Sequence, residues 1–132
     1  MCSSDLVPEA ETVSRLFPDS ALLSQMPDVL ATAYFIGLME WACCEQIAPY
    51  YEADEVSLGT YVDISHTAPT PPGLTVTVRS EIESIDNRFI WFRVSAHDGQ
   101  DVIGEGRHQR ALVQKTRFSA RAAAKISAAE VS

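Results

Sequence analysis

The chain has 132 residues, with 18 Asp and Glu against 10 Lys and Arg, for a formal charge of -8. Its 46% hydrophobic and 21% charged residues exclude a disordered chain and give one domain enough apolar side chains to bury a core without disulfides or a structural metal. The acidic balance repels phosphate backbones and argues against nucleic acid as a partner, although a small basic patch can still take a phosphorylated ligand on such a protein.

Cys2, Cys43 and Cys44 are odd in number, and no His/Cys spacing suits a metal. Neither a disulfide framework nor a metal site is expected, and the setting reads as a reducing cytoplasm. The opening residues, MCSSDLVPEA, lack the basic and apolar regions of a signal peptide. The longest apolar stretch, 29–44, is too short for a bilayer and carries Glu40, so no membrane association is expected.

In chain order, residues 1–26 read as irregular, with Pro8, Pro18 and a short strand at 4–7. Pro27 and Asp28 predict a helix start, and the helix is predicted to run to Ala48 and stop at Pro49. Thirteen of the 16 residues from 29 to 44 are apolar, the exceptions being Thr32, Gly37 and Glu40, which predicts a helix buried on all sides. After a polar loop at 52–55, residues 61–66 alternate, with Val62, Ile64 and His66 on one face. The Pro-rich run 69–73 interrupts, and Leu74, Val76 and Val78 then mark a half-buried strand. A turn near Asp86-Asn87, a strand at 89–96, a hairpin signal at Asp98-Gly99 and a strand at 102–114 complete an antiparallel meander. Residues 119–132 are Ala-rich and read as a short helix or flexible tail. A long apolar helix followed by such a meander implies an α+β architecture, a curved antiparallel sheet wrapped around a central helix. The pattern alone does not separate this from a cystatin-like roll.

Glu40 is the most informative residue. A carboxylate inside an apolar helix needs a partner or a proton, so it is either paired with a structural Arg or held as a base with raised pKa. His66 shares a face with Val62 and Ile64 and sits where the chain leaves the sheet; it is either a satisfied core histidine or a reactive group at a cleft. Thr32 lies eight residues before Glu40, about 12 Å of rise and about 80° of rotation, so the two hydroxyl and carboxyl groups cannot bond directly. On its own, Thr32 reads as a hydroxyl bonding back to the preceding turn. A turn at Asp98-Gly99 pairs His97 with Gln100 and sets His108 opposite Phe89, far from His97, which discards a metal pair. Cys43 and Cys44 read as inert packing. Gly59 is no phosphate loop, and Arg107 and Arg110 read as either a solvated face or a contact to an anion.

The run Ala31-Thr32 followed by Gly37-Leu38-Met39-Glu40-Trp41-Ala42 resembles the central helix of the fluoroacetyl-CoA thioesterase family, which has the hotdog fold. Ser57-Leu58-Gly59-Thr60, Ser65-His66-Thr67-Ala68, residues 72–78 and residues 94–99 resemble it too, so the likeness covers about 8–118 in order. The resemblance implies a single hotdog thioesterase domain over 1–132, with 1–7 a partial N-terminal strand. It implies a catalytic group of Thr32, Glu40 and His66, an acyl-pocket Gly59, a last-strand Arg110, and a homodimer with sites at the subunit interface. Met26 stands where the family's fluoroacetyl enzyme has an aromatic lid residue. The implied activity is hydrolysis of a small acyl-CoA: Glu40 and Thr32 act on the nucleophile side and His66 shuttles the proton, or His66 takes an α-proton and opens a ketene-like route. No cofactor is needed, since coenzyme A is part of the substrate. The alternative is a hotdog module that binds acyl-CoA without hydrolysing it; a hydratase would need an Asp/His pair that the sequence lacks.

Overall fold

In the computed structural model, which describes residues 1–131, an N-terminal strand β1 (Cys2–Leu6) leads into a 3-10 turn (Glu9–Glu11), a one-turn helix α1 (Val13–Leu16) and a second 3-10 turn (Leu23–Gln25). The central helix α2 (Thr32–Ile47) follows, then β2 (Glu55–Ile64), β3 (Thr75–Asp86), β4 (Phe89–His97), β5 (Val102–Gln114) and a C-terminal helix α3 (Lys115–Val131). The strands form one antiparallel sheet in the order β1-β3-β4-β5-β2. Strands β3, β4 and β5 are consecutive hairpin neighbours, whereas α2 carries the chain across the sheet so that β2 closes the far edge beside β5.

Helix α2 buries Phe35, Met39, Ala42, Cys43 and Ile47, a stripe at helical spacing. The sheet meets it with Val76 and Val78 from β3, Ile90, Phe92, Val94 and Ala96 from β4, and Ile103 from β5. Their period of two puts one face of the sheet on the helix. Gly104 allows a close approach: a Cβ there would strike the Phe35 ring at 2.6 Å as well as the Ser65 carbonyl. Truncating Phe35, with no exposed surface, would leave a cavity costing about 3–5 kcal/mol.

Four expectations need correction. The helix begins at Thr32 rather than at Pro27, because the backbone of residues 29–31 is already committed to extended pairing. Val13 N–H bonds Val29, Ala31 N–H bonds Glu11, Leu30 N–H bonds Thr70, and Thr12 bridges Leu30. The helix is not covered all round in the single chain: Trp41 is 53% and Tyr34 41% exposed. The strand expected at 61–66 starts at Glu55, and its alternation is displaced by a bulge between Gly59 and Tyr61. The β4–β5 turn is longer than a two-residue turn, so His97 pairs with Val102 and His108 with Phe92. Asp98 sets that turn, its Oδ1 accepting from the N–H groups of Gln100 and Asp101 and its Oδ2 from Thr70 at 2.9 Å. Burial alone would raise the Asp98 pKa; the hydrogen bonds from Asp101, Gln100 and Thr70 outweigh it and hold the group below its ordinary value.

The tail expected at 119–132 belongs, within the described residues, to α3, which starts earlier, where Asp54 accepts from the Thr116 N–H and hydroxyl and its carbonyl accepts from the Lys115 N–H. Ser132 lies outside the described residues. Among the described residues no helix is long and apolar enough to cross a membrane.

Candidate active site

Two polar clusters form along α2. The first is at its N-terminus, where Thr32 is the opening residue, preceded by Ala31, which supplies no side-chain cap. His66 lies two residues beyond β2, in a segment still tied to β5 through the Ser65 and Thr67 N–H groups. The Thr32 Oγ1 and His66 Nδ1 are 2.8 Å apart. Thr32 therefore bonds the histidine rather than its own preceding turn.

The His66 imidazole packs on the Phe35 ring with centroids 4.6 Å apart. Burial lowers its pKa, which keeps the ring neutral at physiological pH. Its Nε2 is buried and has no hydrogen-bond partner among the described residues. When Nδ1 accepts the Thr32 hydroxyl, the single proton of the neutral ring sits on Nε2 and lacks an acceptor.

The second cluster lies about two turns along α2 and gathers Glu40, Ser57, Gly59, His108 and Arg110. Arg110 is its organiser. Its Nε donates to Ser57 Oγ at 2.8 Å, its Nη2 to the Ser57 carbonyl at 2.8 Å, and its Nη1 to Glu40 Oε1 at 3.2 Å. Nη1 also lies 3.1 Å from His108 Nε2. His108 is fully buried, and its Nδ1 lies 2.8 Å from the Tyr61 carbonyl. The carbonyl can only accept, so Nδ1 donates and Nε2 is the acceptor for Arg110. Burial lowers the His108 pKa against the opposing pull of that Tyr61 hydrogen bond, and the neighbouring guanidinium lowers it further. Tyr51 caps the network, 2.6 Å from Ser57 Oγ.

Of the two readings of Glu40, pairing with an arginine is the one present, and its carboxylate remains 41% exposed. Gly59 is what lets Glu40 lie there, because a Cβ at Gly59 would collide with Glu40 Oε1 and press on His108 at 3.2 Å. Gly59, Glu40 and Arg110 are thus brought together, and so are Thr32 and His66. No hydrogen bond joins Glu40 to the Thr32–His66 pair within the chain. Met26 ends the 3-10 turn Leu23–Gln25, 37% exposed and outside the core. Arg107 belongs to the other face of the sheet, where it bonds Glu83 at 3.1 Å and lies over the Trp91 ring. Cys43 is buried, and burial pushes its thiol up to about 12, which makes it unreactive packing.

Ser57 and His108 carry no motif that marks them in the sequence as members of this cluster. The available signal was the alternation in β5: His108 and Arg110 share a face with apolar Leu112, and two polar groups facing a core must satisfy one another. Among the described residues no group of three or more His, Cys, Asp or Glu is placed to hold a metal.

Residues 9–116 match the family model described as fluoroacetyl-CoA-specific thioesterase. The fluoroacetyl-CoA thioesterase of Streptantibioticus cattleyicolor is 49% identical over 123 residues, 93% of this chain and 88% of that protein. A solved point variant of the fluoroacetyl-CoA-specific thioesterase, bound to fluoroacetate and coenzyme A, superposes with a TM-score of 0.93 at 47% identity, covering 95% of this chain and 98% of that one. A Thermus thermophilus thioesterase superfamily member superposes with a TM-score of 0.87 at 26% identity, covering 99% and 93%. The sheet wrapped on α2 is the hotdog fold.

Proposed function

The chain belongs to the fluoroacetyl-CoA-specific thioesterase family and is a thioester hydrolase, and from that premise we propose that it cleaves a small acyl-CoA at a site shared between two copies of the chain. The observation that carries this reading is the Thr32–His66 pair, 2.8 Å apart, with the buried His66 Nε2 left without an acceptor. A carboxylate placed against Nε2 would complete a Thr-His-Glu relay, with the base oriented by an acid on its far side. Glu40 of the same chain is two turns away, so we assign that role to Glu40 of the partner subunit. The exposed Tyr34 and Trp41 on α2 suit a face covered by that second copy.

In this scheme His66 Nδ1 takes the proton from Thr32, or from a water that Thr32 positions. The activated oxygen attacks the thioester carbonyl, and the His66 proton passes to the departing thiolate, which prevents its return; where Thr32 is the nucleophile, a water activated by His66 then hydrolyses the acyl-threonine ester and restores the hydroxyl. The first turn of α2 lacks a side-chain cap, so its free N–H groups and helix dipole are available to the oxyanion. Gly59 and Arg110 border the acyl group, and Met26 takes the lid position. Met is flexible, so the acyl pocket accepts more shapes than an aromatic lid would allow. Coenzyme A serves as part of the substrate, and the scheme needs no other cofactor or metal.

Thiol release from acetyl-, fluoroacetyl-, propionyl-, medium-chain and aryl-acyl-CoA tests the activity and its breadth. Hydrolysis of several short esters is expected. No release with retained binding would replace this reading by the non-catalytic module. Mixing Glu40→Ala and His66→Ala chains tests the shared site. Random pairing makes half the dimers mixed, each with one intact site, so about a quarter of normal activity should return. Activity no higher than that of the two inactive parents would place all three groups in one chain.

A further inference from the structure

The acidic chain keeps half of its cations in one place. Arg88 occupies the β3–β4 turn, and Lys115, Arg117, Arg121 and Lys125 lie on α3. These are five of the 10 Lys and Arg; the other five stand against all 18 acids. Arg117, Arg121 and Lys125 recur every four residues, so they form one stripe on α3. Among the described residues none of the five is in an ion pair, whereas Arg15, Arg79, Arg93, Arg107 and Arg110 all are.

The stripe borders three adjoining clefts of about 460, 250 and 260 Å³, all lined by Phe118 and Arg121. Arg117 and Arg88 line the largest and Lys125 the smallest. The third runs from Arg88 and Arg121 to the backbone of Gly59 on edge strand β2, along Leu58, Phe89, Ala111 and Val113 on the face of the sheet turned away from α2. Among the described residues no carboxylate lines any of the three. Helix α3 begins at Lys115, so nearly all of it lies beyond the 9–116 family match.

We propose that Arg88, Arg117, Arg121 and Lys125 form the subsite for the phosphorylated nucleotide end of the thioester substrate, its pyrophosphate and 3′-phosphate. This rests on the acyl-CoA reading above and adds to it a recognition element for the carrier. A tetra-anion approaching a chain of charge -8 needs a local positive field, and this unneutralised stripe is where the chain supplies one. Arginine forks match phosphate oxygens in pairs, and Phe118 offers a face for the adenine ring.

The test compares the wild type with Arg117→Ala/Arg121→Ala/Lys125→Ala, a triple variant of exposed residues, on acetyl-CoA and on the acetyl ester of N-acetylcysteamine, which lacks every phosphate. The ratio of kcat/KM on the CoA ester to that on the short ester should fall about tenfold or more, through KM, as three charge contacts disappear. Arg15→Ala, a charge removed far from α3, should keep the ratio. Calorimetry with adenosine 3′,5′-bisphosphate reads the subsite without turnover, and binding should weaken in the triple variant and with added salt. An unchanged ratio with unchanged nucleotide binding overturns the proposal. So does a triple variant that loses binding only to phosphatidylglycerol vesicles. If no ester is hydrolysed yet nucleotide binding still depends on Arg121, the subsite stands and the hydrolase reading falls.

Discussion

The Thr32 end of α2 and the Glu40 end, about two turns along the same helix, differ in how far their polar atoms are satisfied. Around Glu40 every strong donor finds an acceptor: Arg110 spends its guanidinium on Ser57, Glu40 and His108, and His108 spends its proton on Tyr61. Around Thr32 one hydrogen bond holds the pair together, and His66 Nε2 is left over. A saturated network is rigid and contributes to folding; an unsaturated buried group costs stability and persists where chemistry uses it. The comparison separates a braced end, where Arg110 holds the half-exposed Glu40 carboxylate that the proposed scheme lends to the partner's site, from an unsaturated end, and removing the brace and removing the pair should fail in different ways.

The largest effect is expected at the Thr32 end and in rate alone. Thr32→Ala and His66→Ala should each lower kcat by about 10²–10⁴, the usual worth of a positioned base or nucleophile. Their urea midpoints should stay near wild type, because Thr32 is exposed and His66 gives up one hydrogen bond. Near-normal turnover in either would remove that residue from the mechanism. The kcat/KM profile sharpens the same point. Burial lowers the His66 pKa, so the acid limb should titrate below the ordinary histidine value, with full activity above it.

At Arg110, the brace of the Glu40 end, the dominant loss should be stability. Arg110→Met leaves Ser57 and His108 buried without their donor and Glu40 without its counter-charge, at a cost of about 2–4 kcal/mol in denaturant titration. Arg110→Lys should recover little, since one ammonium cannot replace a fork serving three partners. A stable Arg110→Met chain would show that the cluster is not the brace that its geometry describes.

The two ends were also unequally legible in the sequence. Thr32, Glu40 and His66 stood out through resemblance to a family, and the alternation around His66 gave its face correctly. The strands from Leu74 onward carried their own period of two, so the meander was readable. The Glu40 network was not, because it depends on which residues β5 sets against β2. Gly59 pairs with Arg110 on the far side of a bulge before Tyr61, and a bulge flips the phase of the alternation with no residue type to announce it. The longer turn at 98–101 together with the shift between Ala96 and His97 likewise moved His108 from its expected partner, Phe89, to Phe92. The start of α2 was misread for a related reason. Pro27-Asp28 carries the local chemistry of a helix start, but backbone bonds from residues 11–13 and Thr70 hold 29–31 extended. Local signals predict local structure until a distant strand claims the same N–H groups.

That N-terminal brace supplies the smallest predicted effect, because it makes the Thr32 end pH-dependent. Glu11 accepts the Ala31 N–H through its carbonyl, one residue before α2. Its side chain meets Asp5, and Asp5 Oδ2 and Glu11 Oε1 are buried with no other partner among the described residues. Burial, then the hydrogen bond with Asp5 and its negative charge, raises the Glu11 pKa from 4.5 to about 7. The folded chain therefore binds a proton that the unfolded chain has already released. Such a group stabilises the fold fully below the unfolded value, and that contribution is lost as pH rises through about 7. Melting temperature should thus decline by a few °C, of the order expected for a small stability change, between pH 4.5 and 7. Glu11→Gln, uncharged at every pH, should flatten that decline and be the more stable chain at pH 8. Arg110→Met should leave this pH dependence untouched, since Glu11 and Arg110 share no partner. A Glu11→Gln chain with the wild-type slope would mean that Asp5 and Glu11 do not share a proton, and the brace would then be held by its backbone bonds alone.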